Sequence, residues 1–141
     1  MDEFLIPSAA GAGSLLFFDR SPPNPAQPLE YFWVRVTDQN LSATTRVWEG
    51  YAPCRLPRLF AEMAQHWTGW PGELGWESLE HEFALRCSCD RFGHVSLRVE
   101  LQSGFMPNDW RVRATVMAEA GQLAAIAQRA ASFFGHTAIN A

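Results

Sequence analysis

The chain has 141 residues, 48% hydrophobic and 18% charged, which fits one globular domain with a substantial core and excludes disorder over most of its length. A net charge of −4 with no basic run argues against nucleic acid or an anionic membrane surface as the main partner. No apolar run approaches the roughly 18 residues of a membrane span, so no membrane partner is expected.

All eleven basic residues are arginine, which suits planar pairing with carboxylates but is as readily explained by codon bias. The odd count of three cysteines argues against a disulfide framework. The first residues, Met1-Asp2-Glu3, lack the basic region of a secretory signal. These features together predict a cytoplasmic protein.

In chain order, residues 1–12 read as a loose lead-in rich in small residues. Ser14 to Asp19 reads as a strand; its Leu15-Leu16-Phe17-Phe18 run is continuous rather than alternating, as in a strand covered on both faces. Residues 20–29 carry four prolines and predict a stiff, extended connection. A period of two then sets Phe32, Val34 and Val36 against Tyr31, Trp33 and Arg35. Asp38-Gln39-Asn40 turns the chain into a second strand through Leu41 to Val47, making a hairpin.

Leu56, Leu59, Phe60, Met63, Ala64 and Trp67 recur at helical spacing over 54–67, with Pro57 in the first turn. Gly69 and Pro71 then end the helix, and 67–76 reads as a loop. Leu79, His81, Phe83, Leu85, Cys87 and Cys89 alternate as the inward face of a strand, and Asp90 to Gly93 turns it back. Val95 to Leu101 and Trp110 to Ala118 complete a meander. Glu80, Glu82, Arg86, Arg98, Glu100, Arg111 and Arg113 fall on its outer face as a possible charge ladder. A helix over 122–134 ends at Gly135, and the tail 136–141 reads as frayed. The expected fold is α+β: one largely antiparallel sheet of five or six strands with two helices on one face, in the order βββα-βββα.

Chemical motifs are sparse. Cys87 and Cys89 stand two apart with His81 on the same predicted face, but zinc knuckles space their pairs more widely and a second pair is absent; core packing is the expectation, and no metal or cofactor is expected. No nucleophile elbow or metalloprotease helix is present, and no catalytic residue is assigned. Asp90 and His94 bracket the hairpin turn, where Asp90 is expected to cap the turn and His94 to begin the strand.

The residues 67–95 hold three of the six tryptophans. Tryptophans in a loop offer large contact area for a protein partner, or else plug a junction between elements. Trp67, Trp70, Glu73, Trp76, Asp90, Arg91 and His94 are therefore the candidate binding residues.

The pattern Trp67-Thr68-Gly69-Trp70, Gly72, Trp76-Glu77-Ser78-Leu79-Glu80, Asp90 with Gly93-His94-Val95, Trp110 and Gly121-Gln122-Leu123 resembles an uncharacterised family of small bacterial proteins over about residues 13–135. More loosely, it is similar to immunity proteins that protect bacteria from toxins. The resemblance implies a fold and supplies no catalytic residues. Three functions are expected from the sequence: a non-enzymatic protein-binding module, of which a toxin-occluding immunity protein is one form; a ligand-binding domain or small enzyme using His94, Asp90 and His81 in a cleft beside the tryptophans; or a homo-oligomer paired through the first hairpin's edge.

Overall fold

A computed structural model describes residues 3–49 and 54–135. Four strands, β1 (Glu3–Pro7), β2 (Ser14–Ser21), β3 (Tyr31–Asp38) and β4 (Leu41–Trp48), form one antiparallel sheet in sequential order. Helix α1 (Leu56–Gln65) follows. A second sequential antiparallel sheet comprises β5 (Trp70–Glu77), β6 (Phe83–Cys89), β7 (His94–Gln102) and β8 (Arg111–Glu119), and helix α2 (Leu123–Phe134) ends the described chain after a short 3-10 turn.

The α+β class and the antiparallel pairing agree with expectation, but the single five- or six-stranded sheet and the order βββα-βββα do not. The order is ββββα-ββββα, in two sheets of four strands each. One missed strand is β1, expected to be part of a loose lead-in. Phe4 and Ile6 alternate over only five residues and gain their burial from the partner strand and helices, a tertiary contribution that a short local pattern does not display.

The other missed strand is β5, expected as a loop. Its sequence WPGELGWE contains proline and two glycines, residues depleted in strands. It tolerates them because it lies at a sheet edge and is irregular between Trp70 and Leu74, where Gly72 has φ +66°.

A third correction concerns the long alternation through Leu79 and His81. Residues 78–82 form a turn instead, held by Ser78: its N–H donates to Phe83 O at 2.9 Å, and its hydroxyl accepts from Phe83 N–H at 3.1 Å. Leu79 and His81 therefore stand outside the sheet, exposed, rather than facing the core. Likewise α1 stops at Gln65, leaving Trp67 beyond its apolar stripe. The tail expected at 136–141 lies outside the described residues.

One buried cluster joins both sheets and both helices. Phe17 of β2 is at its centre. Its ring stacks on Phe4 of β1 at 5.2 Å and meets Phe134 of α2 at 5.4 Å, Phe83 of β6 at 5.8 Å, Phe32 of β3 at 6.0 Å and Phe60 of α1 at 6.5 Å. Neighbouring Leu16 and Phe18 are only half-buried. Phe18 is covered by Trp33 and by the Arg35 guanidinium on the same outer face, not by a further layer as the continuous apolar run suggested.

The helices pack on each other, α1 also against β5 and α2 against β1. The proline-rich connection is tied down from within. Arg20, buried despite its charge, donates to Gln27 O and to Phe133 O near the end of α2, each at 3.0 Å. Burial depresses its affinity for the proton.

Candidate functional site

Gly69 controls how the second sheet begins. Its φ of +116° suits glycine, and a Cβ there would stand 3.2 Å from Asp90 O. This close approach sets the turn after α1 against the β6–β7 hairpin turn. Two large rings project from these neighbouring turns, Trp67 at 60% exposure and Phe92 at 69%. Phe92 has Arg91 over its face at 5.0 Å and the His94 ring 6.4 Å away.

Asp90 organises the hairpin turn. Its Oδ1 accepts from the N–H groups of Phe92 at 2.8 Å and His94 at 3.0 Å, while Oδ2 lies 3.1 Å from His94 Nδ1. The backbone N–H of His94 does most to hold the Asp90 carboxyl below its usual range; desolvation opposes it, and the Phe92 N–H and the His94 ring add to the lowering. An exposed carboxylate kept ionised in this way fixes a turn well and serves poorly as a proton donor at neutral pH. Asp90 thus caps the turn and His94 opens β7, as the sequence suggests.

The remaining candidate residues have different surroundings. Trp70 is 9% exposed, and its indole N–H donates to Cys87 O at 3.0 Å, so it pins β5 to β6 and presents little surface. Trp76 is half-buried with its ring 5.5 Å from Phe83. Glu73 accepts from Arg98 Nη2 at 2.9 Å. The structure thus brings Trp67, Arg91 and His94 to one end of the second sheet, with Asp90 holding the turn beneath them. His81 sits at the opposite end of β6, about 20 Å away along seven strand residues, where it pairs with Glu77 at 3.0 Å.

Cys54, Cys87 and Cys89 are all free and buried. Desolvation raises each thiol, Cys87 to about 12 with Glu73 adding to it, so none is poised as a nucleophile. The expected charge ladder is partial: Arg113 bonds Glu100 at 2.7 Å, whereas Glu82 turns to the first sheet and accepts from Trp48 N–H at 3.0 Å.

Two features escape the sequence. The loop 103–110 holds Phe105 and Met106 in solvent on a hydrogen-bonded base, in which Asp109 accepts from Ser103 Oγ at 2.9 Å and from Met106 N–H at 2.9 Å. Its signal was the Ser-x5-Asp spacing around Gly104 and Pro107, a turn pattern with apolar residues at its tip. The second is a groove of about 980 Å³ between α1 and β5, with Trp76 and Glu49 among its lining residues. No local pattern reveals it, because it exists only once β5 is a strand.

The match to a sequence-family model covers residues 6–137. The chain belongs to DUF6228, a family of unknown function. No curated protein and no solved structure matches it significantly. The matched span runs from the end of β1 through α2, so the neighbouring turns at Gly69 and Asp90 lie within it.

Proposed function

We propose that this DUF6228 member is a non-enzymatic protein-binding module whose contact surface is the paired tip carrying Trp67 and Phe92. The observation that carries the reading is the exposure of these two rings on turns held together by Gly69 and braced by Asp90. Rigid aromatic side chains in solvent bring large contact area at low ordering cost, and Arg91 and His94 supply a polar rim. Occlusion of a toxin by an immunity-type protein is one specific form of this function, suggested by the looser sequence resemblance.

The test is capture from the native host's lysate and secreted fraction by wild type and by a Trp67→Ala, Phe92→Ala double variant of unchanged thermal stability. A discrete protein held by the wild type and lost by the variant supports the tip as the contact surface. Equal capture by both, or none by either, refutes it.

A further inference from the structure

The outer face of the first sheet carries apolar side chains where a solvated face carries polar ones. Phe4, Phe17, Phe32 and Val47 take inward positions on β1 to β4, and the alternate residues point away from the core. Among those, Leu5 is 43% and Trp33 37% exposed, while Leu16, Phe18 and Tyr31 are half-buried. Phe18 and Trp33 stack at 6.4 Å, Arg35 lies over the Phe18 ring at 4.8 Å, and Arg46 lies over the Tyr31 ring at 4.3 Å. Aromatic rings bordered by arginine are the composition of an interface core.

Strand register arranges these side chains in rows across the sheet. One row reads Glu3, Phe18, Trp33, Arg46 from β1 to β4, and its neighbour reads Leu5, Leu16, Arg35, Thr44. Glu3 and Arg46 are exposed, and among the described residues neither forms an ion pair. A carboxylate thus ends the first row on one side and a guanidinium ends it on the other, about 14 Å apart by three strand spacings.

Two such faces laid together about a two-fold axis that runs along the strands, between β2 and β3, reverse this order. Glu3 of each copy then stands opposite Arg46 of the other, and Phe18 opposite Trp33. In the neighbouring row Arg35 falls opposite Leu16, so no like charges meet. An axis running across the strands, between the two rows, sets Glu3 opposite Leu5 and Arg46 opposite Thr44, which leaves both charges unpaired. Facing sheets lie about 10 Å apart and turn by about 30°, which displaces the row ends by about 4 Å, within the span of glutamate and arginine side chains. Three strands of eight residues and one of five cover about 450 Å² in plan. Two copies therefore bury about 900 Å² before side-chain relief is counted, close to the ~1,000 Å² of a specific interface and suited to a weak dimer.

We infer that the outer face of the first sheet joins two copies of this chain face to face, through Phe18 against Trp33 and two Glu3–Arg46 pairs related by symmetry. The contact uses the face of the sheet and not the hairpin edge that the sequence suggests. The Trp67 and Phe92 tip borders the other sheet, so this assignment stands or falls separately from it.

Sedimentation equilibrium of the full chain at low salt, from about 1 µM to about 1 mM, should show a reversible monomer–dimer equilibrium. Glu3→Arg sets arginine against Arg46, and Arg46→Glu sets glutamate against Glu3. Each variant, with the circular dichroism spectrum and thermal unfolding of the wild type, should associate at least ten-fold more weakly. An equimolar mixture of the two should recover wild-type association, because the heterodimer is complementary at both ends of the row. Should either reversal fail to fold, Trp33→Ser removes a ring from the centre of the row and should weaken association by as much. The Trp67→Ala, Phe92→Ala variant should dimerise as the wild type does. A monomer across the whole concentration range overturns the assignment. So does a dimer that these substitutions leave intact, or a pair of folded charge-reversed variants that stay monomeric when mixed.

Discussion

Replacing Glu49 by glutamine should remove a pH dependence of stability that the wild type carries. Burial raises the Glu49 carboxyl to about 7, well above the usual range of a glutamate; a hydrogen bond from the Cys54 thiol opposes the rise, and the nearby Glu82 charge adds to it. Arg55 and Arg58 from α1 and Glu77 from β5 share its groove. The folded state therefore holds this proton more tightly than the unfolded chain. The stabilisation is fully present below about pH 4.5 and is lost as pH rises through 7.

Between pH 5 and pH 8 the full shift corresponds to about 2.5 kcal/mol, and allowance for the solvent that reaches the side chain reduces this to about 2 kcal/mol. Urea unfolding of wild type and Glu49→Gln at both pH values gives the comparison. The histidine pairs His81–Glu77 and His94–Asp90 are the same in both proteins, so whatever they contribute cancels in the difference. Wild type should lose about 2 kcal/mol more than the variant on going from pH 5 to pH 8. A difference below about 0.5 kcal/mol would refute the reasoning, because the carboxyl would then titrate as an ordinary solvated group.

Four further outcomes follow from the packing. Phe17→Ala, which empties the point where five other phenylalanine rings meet, should cost about 3–5 kcal/mol in denaturant unfolding. Trp70→Phe should cost about 1–2 kcal/mol by the same assay, since it removes the indole donor to Cys87 O. Gly135→Ala should destabilise by at least about 2 kcal/mol, because φ is +104° and the new Cβ would lie 2.6 Å from Pro25 O. A chromogenic disulfide reagent should find no reactive thiol in the native protein at pH 7 and three after unfolding in guanidinium.

The elements that the sequence displays are those whose burial is one-sided and local. Strands β3, β4, β6, β7 and β8 alternate clearly, and both helices carry continuous apolar stripes, Leu56–Leu59–Phe60–Met63 and Leu123–Ile126–Ala130–Phe133. Edge strands β1 and β5 are less legible. Five residues give β1 too short a pattern, and Pro71, Gly72 and Gly75 disguise β5 as a loop. The surroundings of the individual tryptophans were hidden for the same reason. Once β5 is a strand, Trp70 must point to the core, while Trp67, just past the helix end, is left outside. The hairpin turn was legible because Asp90 and Gly93 act within four residues of each other. The groove was not, since its walls come from elements whose packing no local period encodes.

The Arg20 bridge also bears on when the fold can close during synthesis. Arg20 lies near the start of the chain, yet its guanidinium is fastened to Phe133 O, and Pro25 O lies against Gly135. The connection between β2 and β3 therefore lacks its contacts with the end of α2 until residues 133–135 have emerged from the ribosome. Until then the buried faces of Phe4, Phe17 and Phe32 await Phe134 and remain open to solvent. A chain truncated before α2 should expose that aromatic face and be a target for chaperones and proteases, even with every strand already made.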